Sequence, residues 1–226
     1  MTDIIYNKDC LEGLESLADN SIDLIVTDPS YSCGFTSNGL KASFSDNNLT
    51  APFFKELFSQ WQCVLKDGGH IYINTDWRTY PFLYPLLERY FLIRNLIVWD
   101  YEWIKAGSFY RFRHELIMFA TNGASQREFG NGNDNADVWR IRCINYTDKN
   151  KYHQAQKPIE LCEKMILNSS HEGDVVLDCF MGSGTTAVAC INTNRHFIGF
   201  ETEEKFYEIA NKRIAEAQAA KAQELF

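Results

Sequence analysis

The sequence lacks the patterns that would place it among membrane, secreted or metal-binding proteins. No apolar run approaches the roughly 18 residues that a membrane-spanning helix needs. The N-terminal residues show no basic stretch followed by an apolar one, which is the pattern of a secretory signal. The seven cysteines are scattered and include no C-x-x-C pair, which argues against a disulfide framework or a cysteine zinc site. We therefore expect a cytoplasmic protein with reduced cysteines, no membrane segment and no metal.

A single α/β domain, residues 1–226, is the expected architecture, because the sequence shows no internal repeat, no linker and no second core. Apolar runs typical of strands lie at 22–27, 70–75, 95–99, 114–121, 175–179 and 196–200. Helical patterns lie between them, at 10–18, 53–65, 82–91, 158–168, 185–193 and from about residue 203 onwards. Strands that alternate with helices predict a mostly parallel, twisted sheet with helices on both faces.

Loops are expected where polar and turn-forming residues replace these patterns. Residues 32–52 are rich in Ser, Asn, Gly and Thr and have no periodicity, so they predict a long loop. A second polar loop is expected at 122–137. Gly68-Gly69 is expected to end the helix at 53–65, and the Ala-rich C-terminal stretch after about residue 215 is expected to fray.

The charge is unevenly distributed along the chain. The net charge of −8 argues by itself against a nucleic-acid partner. However, residues 1–75 carry a net −6 and residues 160–226 a net −5, whereas residues 76–159 carry a net +3. Aromatic residues alternate with basic ones in this middle segment, which is typical of a footprint for a polyanion such as DNA. Ordinary solvated loops are the alternative. The basic residues concerned are Lys105, Arg111, Arg113, Arg140, Arg142, Lys149, Lys151 and Lys157.

The predicted strand 22–27 runs directly into Asp28-Pro29-Ser30-Tyr31. Asp and Pro are typical of a tight turn, but a turn has no use for the tyrosine. Open α/β sheets bind their ligands at the carboxyl ends of their strands. The four residues are therefore candidate functional residues, and a plain Asp-Pro turn is the structural alternative.

A second candidate site is the glycine-rich turn D-C-F-M-G-S-G-T-T, residues 178–186, between a predicted strand and a helix. Glycines let a ligand approach the backbone, and the helix N-terminus offers unpaired N–H groups. Glu201 ends the next strand, where an acid can bind the two hydroxyls of a ribose. The pattern predicts a ribose-bearing cofactor. Ala187 at the third glycine position does not exclude NAD, but no acid–base pair of a dehydrogenase is evident.

Together the two sites resemble the amino-methyltransferases of DNA, which use S-adenosylmethionine and carry a D-P-P-Y type motif. The order, D-P-S-Y first and F-M-G-S-G later, resembles the circularly permuted β class of bacterial and phage enzymes, which includes those of restriction–modification systems. The resemblance covers about residues 4–214. Further stretches in family order are N-K-D-C-L-E-G-L (7–14), V-L-K-D-G-G (64–69), H-E-L-I-M-F (114–119), H-Q-A-Q-K-P (153–158) and H-F-I-G-F-E (196–201).

The resemblance implies methyl transfer to the exocyclic amine, N6, of an adenine that is flipped out of DNA. Such an amine is a poor nucleophile because its lone pair is delocalised into the ring. The Asp28 carboxylate and the Pro29 carbonyl are the implied acceptors for its two hydrogens, and Tyr31 is implied to stack on the base. Ser30 stands where the family has a second proline, which keeps the Pro29 acceptor but reduces the rigidity of the turn.

The resemblance also implies how S-adenosylmethionine is held. Phe180 is implied on the adenine side, Glu201 at the ribose, and Lys157 near the methionine carboxylate. Cys10 as a core residue and Lys157 as a charge at a helix start are the structural alternatives. The complete implied set is Asp9, Cys10, Asp178, Phe180, Gly182, Ser183, Gly184, Thr185, Glu201 and Lys157.

The short segment 120–152 is the candidate target-recognition segment. Its length suggests a short target, weak specificity, or recognition that is shared with the loop 32–52 and with a second subunit of a homodimer. His114 and Glu115 are expected to be structural, because adjacent strand residues point to opposite faces. Cytosine-N4 methylation and a non-catalytic remnant that binds cofactor or DNA are the alternatives. Protein glutamine methyltransferases are a third, although they place their G-x-G before the D-P-S-Y-like motif.

Overall fold

Two layers of helices enclose a mixed sheet in the described part of the chain. The computed structural model describes residues 2–29, 36–37, 40–41, 47–105, 109–125, 129–130, 135–145, 148, 151–152 and 156–224. The strands are β1 Ile4–Tyr6, β2 Ile22–Thr27, β3 Thr36–Ser37, β4 Leu40–Lys41, β5 Leu65–Thr75, β6 Leu92–Asp100, β7 His114–Thr121, β8 Val138–Arg140, β9 Val175–Asp178 and β10 His196–Phe200. The helices are α1 Cys10–Leu14, α2 Asn47–Val64, α3 Tyr80–Leu87, α4 Ile159–Ser169, α5 Thr185–Asn192 and α6 Glu204–Glu224.

The main sheet has eight strands in the order β1-β10-β9-β2-β5-β7-β6-β8. β7 is antiparallel to both of its neighbours, β5 and β6. The other neighbouring pairs are parallel. β3 and β4 form a separate antiparallel pair. The predicted mostly parallel α/β sheet is confirmed.

Both faces of the sheet are buried, which explains why the strand sequences read as continuous apolar runs. Every residue of β2, for example, is buried. Helices α1, α2 and α3 cover one face, where Phe58 and Trp61 are fully buried. Helices α4, α5 and α6 cover the other, where Tyr72 and Trp99 lie in the core. The expectation of helices on both faces is confirmed.

The carboxyl ends of the parallel strands meet at one edge of the sheet, here called the carboxyl edge. Asp28 follows β2, Asp178 ends β9 and Glu201 follows β10. Because β7 runs in the opposite direction, it begins at this edge, so that Glu115 reaches the same edge from its N-terminal end. The topology thus gathers the two candidate sites on one side of the molecule.

Several element boundaries differ from the sequence prediction. The strands at 22–27, 114–121 and 196–200 are confirmed at the predicted bounds. Four short strands were not predicted. β1 and β8 have three residues each and lie at the edges of the main sheet, whereas β3 and β4 have two residues each and fall within the predicted loop 32–52. The other strands and helices differ mainly in their ends: β5 starts at Leu65, β6 covers Leu92–Asp100, β9 ends at Asp178, α1 ends at Leu14, α3 covers Tyr80–Leu87, α4 covers Ile159–Ser169 and α5 ends at Asn192.

Two predictions about helix ends were wrong. Helix α2 begins at Asn47, within the predicted loop 32–52, and contains Pro52. Gly68-Gly69 does not end a helix but lies inside β5, at an irregularity of its pairing with β2. Gly68 has φ 71°, which glycine adopts without strain, and its N–H donates to the carbonyl of Asn122 at 2.6 Å.

The C-terminal helix was also longer than expected, since α6 continues to Glu224 instead of fraying after about residue 215. Its buried residues Ala210, Arg213 and Ile214 pack it onto the domain. None of the helices in the described ranges is long and apolar enough to cross a membrane.

Candidate active site

A cavity of about 320 Å³ opens at the carboxyl edge of the sheet. Its walls come from the residues after β2, β9 and β10 and from the chain that leads into α4. It therefore brings together the two sites that the sequence singled out. The predicted site residues in its lining are Asp9, Cys10, Asp28, Pro29, Lys157, Asp178, Phe180, Gly182, Ser183, Thr185 and Glu201.

The glycine-rich turn needs its two glycines for different reasons. Gly182 has φ 55° and Gly184 has φ 82°, both in the left-handed region. A Cβ on Gly184 would also lie 3.0 Å from both Cα and Cβ of Ala210, so this glycine lets α6 approach the turn. A Cβ on Gly182 would meet nothing closer than 3.9 Å, the distance to the Phe180 carbonyl oxygen. Gly182 is thus required for the backbone conformation, and it leaves that part of the wall open.

Asp178 supports the turn from inside. Its carboxylate accepts hydrogen bonds from Thr27 Oγ1 at 2.8 Å, from the Phe180 N–H at 3.0 Å and from Thr186 Oγ1 at 2.6 Å. Burial raises the pKa of Asp178 to about 6, although these bonds act in the opposite direction. The bonds link β2, the turn and α5, so Asp178 maintains the shape of the cavity that it also lines. Its contact with the cofactor remains a prediction.

Glu201 is connected to the same turn. One carboxylate oxygen accepts the Gly182 N–H at 2.8 Å, and the other accepts the Glu203 N–H at 2.8 Å. A carboxylate has about four acceptor positions, so these two bonds leave room for hydroxyl donors. The acid at the end of β10 is held rigidly at the wall of the cavity.

Arg213 is a site residue that the sequence prediction missed. It is buried, and its Nη1 donates to the Ser183 carbonyl at 2.6 Å and lies within hydrogen-bond distance of the hydroxyls of Ser183 and Thr185. Burial lowers the pKa of Arg213 below its usual value. The only signal in the sequence was an arginine in an otherwise amphipathic helix, which is too common to single it out.

An apolar and aromatic wall closes the other end of the cavity. Phe180 packs edge-on against Phe53 of α2, with ring centroids 6.2 Å apart. Asp9 caps α1 by accepting the Leu11 N–H at 2.8 Å, and Cys10 behind it is buried. This arrangement can accept a flat heterocycle at Phe180.

Asp28 is paired with Lys157 across the cavity. Lys157 Nζ lies 2.6 Å from Asp28 Oδ2 and 3.1 Å from Glu115 Oε2. Burial alone would lower the pKa of Lys157, but the two carboxylates outweigh it and raise that pKa. Pro29 is buried beside Asp28, whereas Ser30 and Tyr31 lie outside the described residues.

The charges in the lining indicate what the cavity can bind. Five carboxyl groups, those of Asp9, Asp28, Asp178, Glu201 and Glu203, lie in the lining, against one ammonium, that of Lys157. Such a lining opposes the phosphates of a dinucleotide and favours a ligand that carries positive charge. The ribose-bearing cofactor predicted from the turn therefore fits best if it is a cation without phosphate, as S-adenosylmethionine is.

Comparison with known proteins agrees with this geometry. The family model for N6- and N4-specific DNA methylases matches residues 22–212. The chain belongs to this DNA methylase family. The methylase is 34% identical over 234 residues to the type II methyltransferase M.HpaI of Haemophilus parainfluenzae, covering 92% of this chain and 72% of the relative.

Two further proteins are similar over nearly their whole length. The DNA adenine methyltransferase YhdJ of Escherichia coli (strain K12) is 29% identical, with 98% of this chain and 85% of the relative covered. The crystal structure of the M1.HpyAVI–SAM complex superposes with a TM-score of 0.72 at 25% identity, covering 93% of this chain and 98% of that one. The Rossmann-like methyltransferase fold that the sequence predicts is thus confirmed.

The predicted DNA-binding residues of the methylase fall into two groups. Lys105 and Arg113 are already paired: Lys105 Nζ lies 3.7 Å from Glu115 Oε1, and the Arg113 guanidinium binds both oxygens of Asp100, at 2.8 and 2.9 Å. The Lys105 ammonium also lies 3.6 Å from the ring centroid of Tyr101. Lys105 therefore points into the protein, while Arg113 remains half exposed.

The second group is exposed. Arg140 ends β8 opposite Asp100 of β6, at the carboxyl edge, and Arg142 follows it. Neither arginine forms an ion pair with any acidic residue that the structure describes, including Asp137. Arg111 is also exposed, and its guanidinium donates to the carbonyl oxygens of Lys105, at 3.3 Å, and Ile104, at 3.5 Å. Lys151 is described and partly buried, and Lys149 lies outside the described residues.

Exposed aromatic side chains accompany the arginines of the methylase. Trp77 follows β5, and Trp103, Phe109 and Tyr110 lie between β6 and β7; all four are more than half exposed. The Arg78 guanidinium lies over the rings of Trp77 and Phe112, at 5.1 and 5.6 Å from their centroids, and so joins the two loops. Among the described residues, no three side chains of the metal-binding types come together.

Proposed function

We propose that the methylase transfers the methyl group of S-adenosylmethionine to N6 of an adenine flipped out of DNA. The observation that carries the proposal is that Asp28 shares one cavity with the glycine-rich turn and Glu201. A methyl donor held at the turn and an amine held at Asp28 would therefore meet without any rearrangement of the sheet.

The cofactor of the methylase is S-adenosylmethionine, which supplies a methyl group bound to a positively charged sulfur. Glu201 would accept hydrogen bonds from the ribose hydroxyls, and Phe180 would pack on the adenine together with Asp9 and Cys10. The turn, from Gly182 to Thr185, would meet the methionine end, near Lys157. The acidic lining supports this assignment, because it suits the sulfonium and ammonium charges.

Asp28 and Pro29 act on the target amine. The carboxylate and the Pro29 carbonyl each accept one N–H, which returns electron density to the nitrogen and aims its lone pair at the methyl carbon. The N6–CH3 bond would form as the S–CH3 bond breaks, so that the electron pair stays on sulfur and the donor would leave as a neutral thioether. The amine would release one proton to the Asp28 carboxylate or to solvent. Catalysis in this proposal consists of position and fixed charge, with no covalent link to the protein. Ser30 is the next residue of the D-P-S-Y motif, and Tyr31 would stack on the base.

DNA would lie along the carboxyl edge on the side of β5, β7, β6 and β8. Exposed Arg111, Arg140 and Arg142 would contact phosphates, and Arg113 would do so beside Asp100. The exposed aromatic residues near them offer surfaces on which bases stack. This assignment also explains why residues 76–159 are basic in an otherwise acidic chain.

The choice of adenine rests on Asp28 as the first residue of the motif and on the relative that is named an adenine methyltransferase. Cytosine-N4 methylation is the second candidate, since the family includes both activities. A homodimer that shares target recognition remains a prediction, which sedimentation of the free protein and of its DNA complex would test.

The deciding experiment incubates the protein with radiolabelled S-adenosylmethionine and unmethylated DNA and then separates the nucleosides. We expect label in N6-methyladenine. Label in N4-methylcytosine would correct the base, label in protein would correct the substrate, and no label would identify a remnant without activity.

A further inference from the structure

The Lys157 ammonium joins two carboxylates that come from different parts of the fold. It lies 2.6 Å from Asp28 Oδ2, after β2, and 3.1 Å from Glu115 Oε2, on β7. Lys157 itself precedes α4 and is only 7% exposed. Three secondary-structure elements therefore determine where this ammonium sits.

Glu115 is held at its second oxygen as well. The Tyr101 hydroxyl donates to Glu115 Oε1 at 2.6 Å, and Lys105 Nζ lies 3.7 Å from the same oxygen. The pKa of Glu115 is lowered, because the two lysines and the tyrosine outweigh the effect of its burial. Glu115 is thus a fixed carboxylate directly behind Lys157.

The reason for this arrangement lies in the cost of buried charge. A buried ammonium that faced Asp28 alone would be easier to deprotonate and freer to move, because burial disfavours the charged form. With Glu115 on its other side, Lys157 stays protonated and is held at a fixed distance from Asp28. Only the ionised form of Asp28 accepts hydrogen bonds at both oxygens.

We propose that Glu115 is a positioning residue for methyl transfer: together with Tyr101 it holds Lys157 against Asp28 and so fixes the carboxylate that faces the target amine. The inference rests on the proposed function, because the role of Asp28 belongs to it. It assigns a function to Glu115, which the sequence analysis, together with His114, expects to be structural.

The central test is Glu115→Gln, which keeps the shape of the side chain and removes its charge. We expect the single-turnover rate of DNA methylation to fall by up to about a hundredfold, the loss that a misplaced reacting group can cause. The dissociation constant of S-adenosylmethionine, measured by calorimetry, should change by less than about threefold. Loss of rate without loss of binding is the expected signature.

The pH profile supplies a second signature that a merely structural role would not produce. In the wild-type protein, Lys157 stays protonated well into the alkaline range. The rate of DNA methylation by the wild type should therefore not depend on pH in that range. In Glu115→Gln the ammonium loses one of its two carboxylates, its pKa falls, and the rate should decline as the pH rises. The titratable groups around Lys157 are Asp28, Tyr101, Lys105, Glu115, Cys143, Cys162 and Asp178.

Tyr101→Phe separates position from charge. It removes the 2.6 Å hydrogen bond to Glu115 but keeps every charge in the cluster. We expect a smaller loss of rate and no decline at alkaline pH. This variant also decides the inference if Glu115→Gln does not fold, since an unchanged rate in Tyr101→Phe would then overturn it.

Asp23→Asn is the matched control. Asp23 also pairs with a lysine, since Lys66 Nζ lies 2.7 Å away, but it sits at the start of β2, at the opposite edge of the sheet. The control should lower stability and leave the rate and its pH profile unchanged. Equal effects of Asp23→Asn and Glu115→Gln would overturn the inference, whereas a wild-type protein that transfers no methyl group would overturn the proposed function and the inference with it.

Discussion

Arg213 of helix α6 donates a hydrogen bond to the carbonyl oxygen of Ser183, in the glycine-rich turn, at 2.6 Å. Helix α6 therefore holds the glycine-rich turn from behind. We expect Arg213→Met to weaken S-adenosylmethionine binding and to lower the free energy of unfolding, each by about 1–3 kcal/mol, because a buried acceptor loses its donor. Calorimetry and urea unfolding measure the two effects.

Lys212→Met is the control for that change, because it removes a charge from the same helix at an exposed position, where the lysine pairs with Glu216 at 3.9 Å. It should leave both quantities nearly unchanged. If Lys212→Met and Arg213→Met behave alike, Arg213 does not support the turn.

Asp28→Ala should abolish methylation and leave S-adenosylmethionine binding largely intact. Loss of one fixed acceptor at the amine costs about 3–4 kcal/mol, a factor on the order of a hundred or more in rate. Single-turnover methylation and calorimetry are the measurements. A rate within about threefold of the wild type would show that Asp28 does not act on the amine.

Asp28→Asn is a useful companion, because Ala leaves Lys157 with one carboxylate fewer in a buried place. Asn keeps the size of the side chain and one oxygen for the lysine. The Asp28→Asn variant should have a higher free energy of unfolding than Asp28→Ala. It should methylate DNA almost as slowly. A fast Asn variant would mean that the charge of Asp28 is not needed.

Glu201→Ala should weaken S-adenosylmethionine binding by roughly 1.5–3 kcal/mol, the scale of hydrogen bonds to a charged group. Titration with the cofactor alone, without DNA, is sufficient. Glu204→Ala removes the same charge three residues further on, in the first turn of α6 and outside the cavity, and should bind normally. Equal dissociation constants for wild type and Glu201→Ala would remove Glu201 from the ribose site.

Changing both Arg140 and Arg142 to Ala should flatten the dependence of log affinity for a duplex on log salt concentration by about 1.8, because each phosphate contact contributes about 0.9. A smaller change in slope with relaxed target choice would mean that one arginine reads a base. Arg89 and Arg94, changed together, are the control: Arg94 lies near the amino end of β6, away from the carboxyl edge. The Arg89/Arg94 double variant should have the same salt dependence as the wild type. Equal slopes for the wild type and both double variants would show that Arg140 and Arg142 do not contact DNA phosphates.

Asp178 should make stability depend on pH in a specific window. Its folded pKa, about 6, lies above the ordinary value of 3.8, so the folded state binds its proton more tightly than the unfolded state. The stabilisation from this proton is complete below about pH 4 and is lost as the pH rises through about 6, a total on the order of 3 kcal/mol. The Asp178→Asn variant has no titrating carboxyl group at this position and therefore serves as the reference.

Urea unfolding at pH 4, 5, 6 and 7 tests this difference, because subtracting the two proteins cancels the other carboxylates. The free energy of unfolding of the wild type should fall relative to that of Asp178→Asn as the pH rises. Parallel curves would show that Asp178 titrates normally in the folded protein.

The elements that could be predicted from the sequence are those whose signal is local. β2, β7 and β10 are short apolar runs between clear breaks, and their bounds were predicted correctly. β1 and β8 have three residues each and gain their hydrogen bonds only from a neighbouring strand, so no local pattern indicates them. Gly68-Gly69 was misjudged because the same dipeptide fits a helix end and a strand irregularity.

The candidate site divides in the same way. Asp28, Glu201 and the glycine-rich turn follow strands directly, so strand ends and the topology of α/β sheets place them together. Arg213, Glu115 and Tyr101 reach the site through packing between distant segments, which a single sequence does not reveal. Lys105 illustrates the same limit, since the sequence does not reveal that its ammonium lies 3.7 Å from Glu115 Oε1.

The reversed direction of β7 determines how this protein can vary. The segment that joins β6 and β7 at the carboxyl edge contains no helix in its described residues, 101–105 and 109–113, so residues can be gained or lost there without shifting the strands or the helices. By contrast, a change of length at the glycine-rich turn would move α5 at once. The segment between β6 and β7 can therefore change in length while the glycine-rich turn and the cavity keep their shape, and a designer could graft loops at the same place.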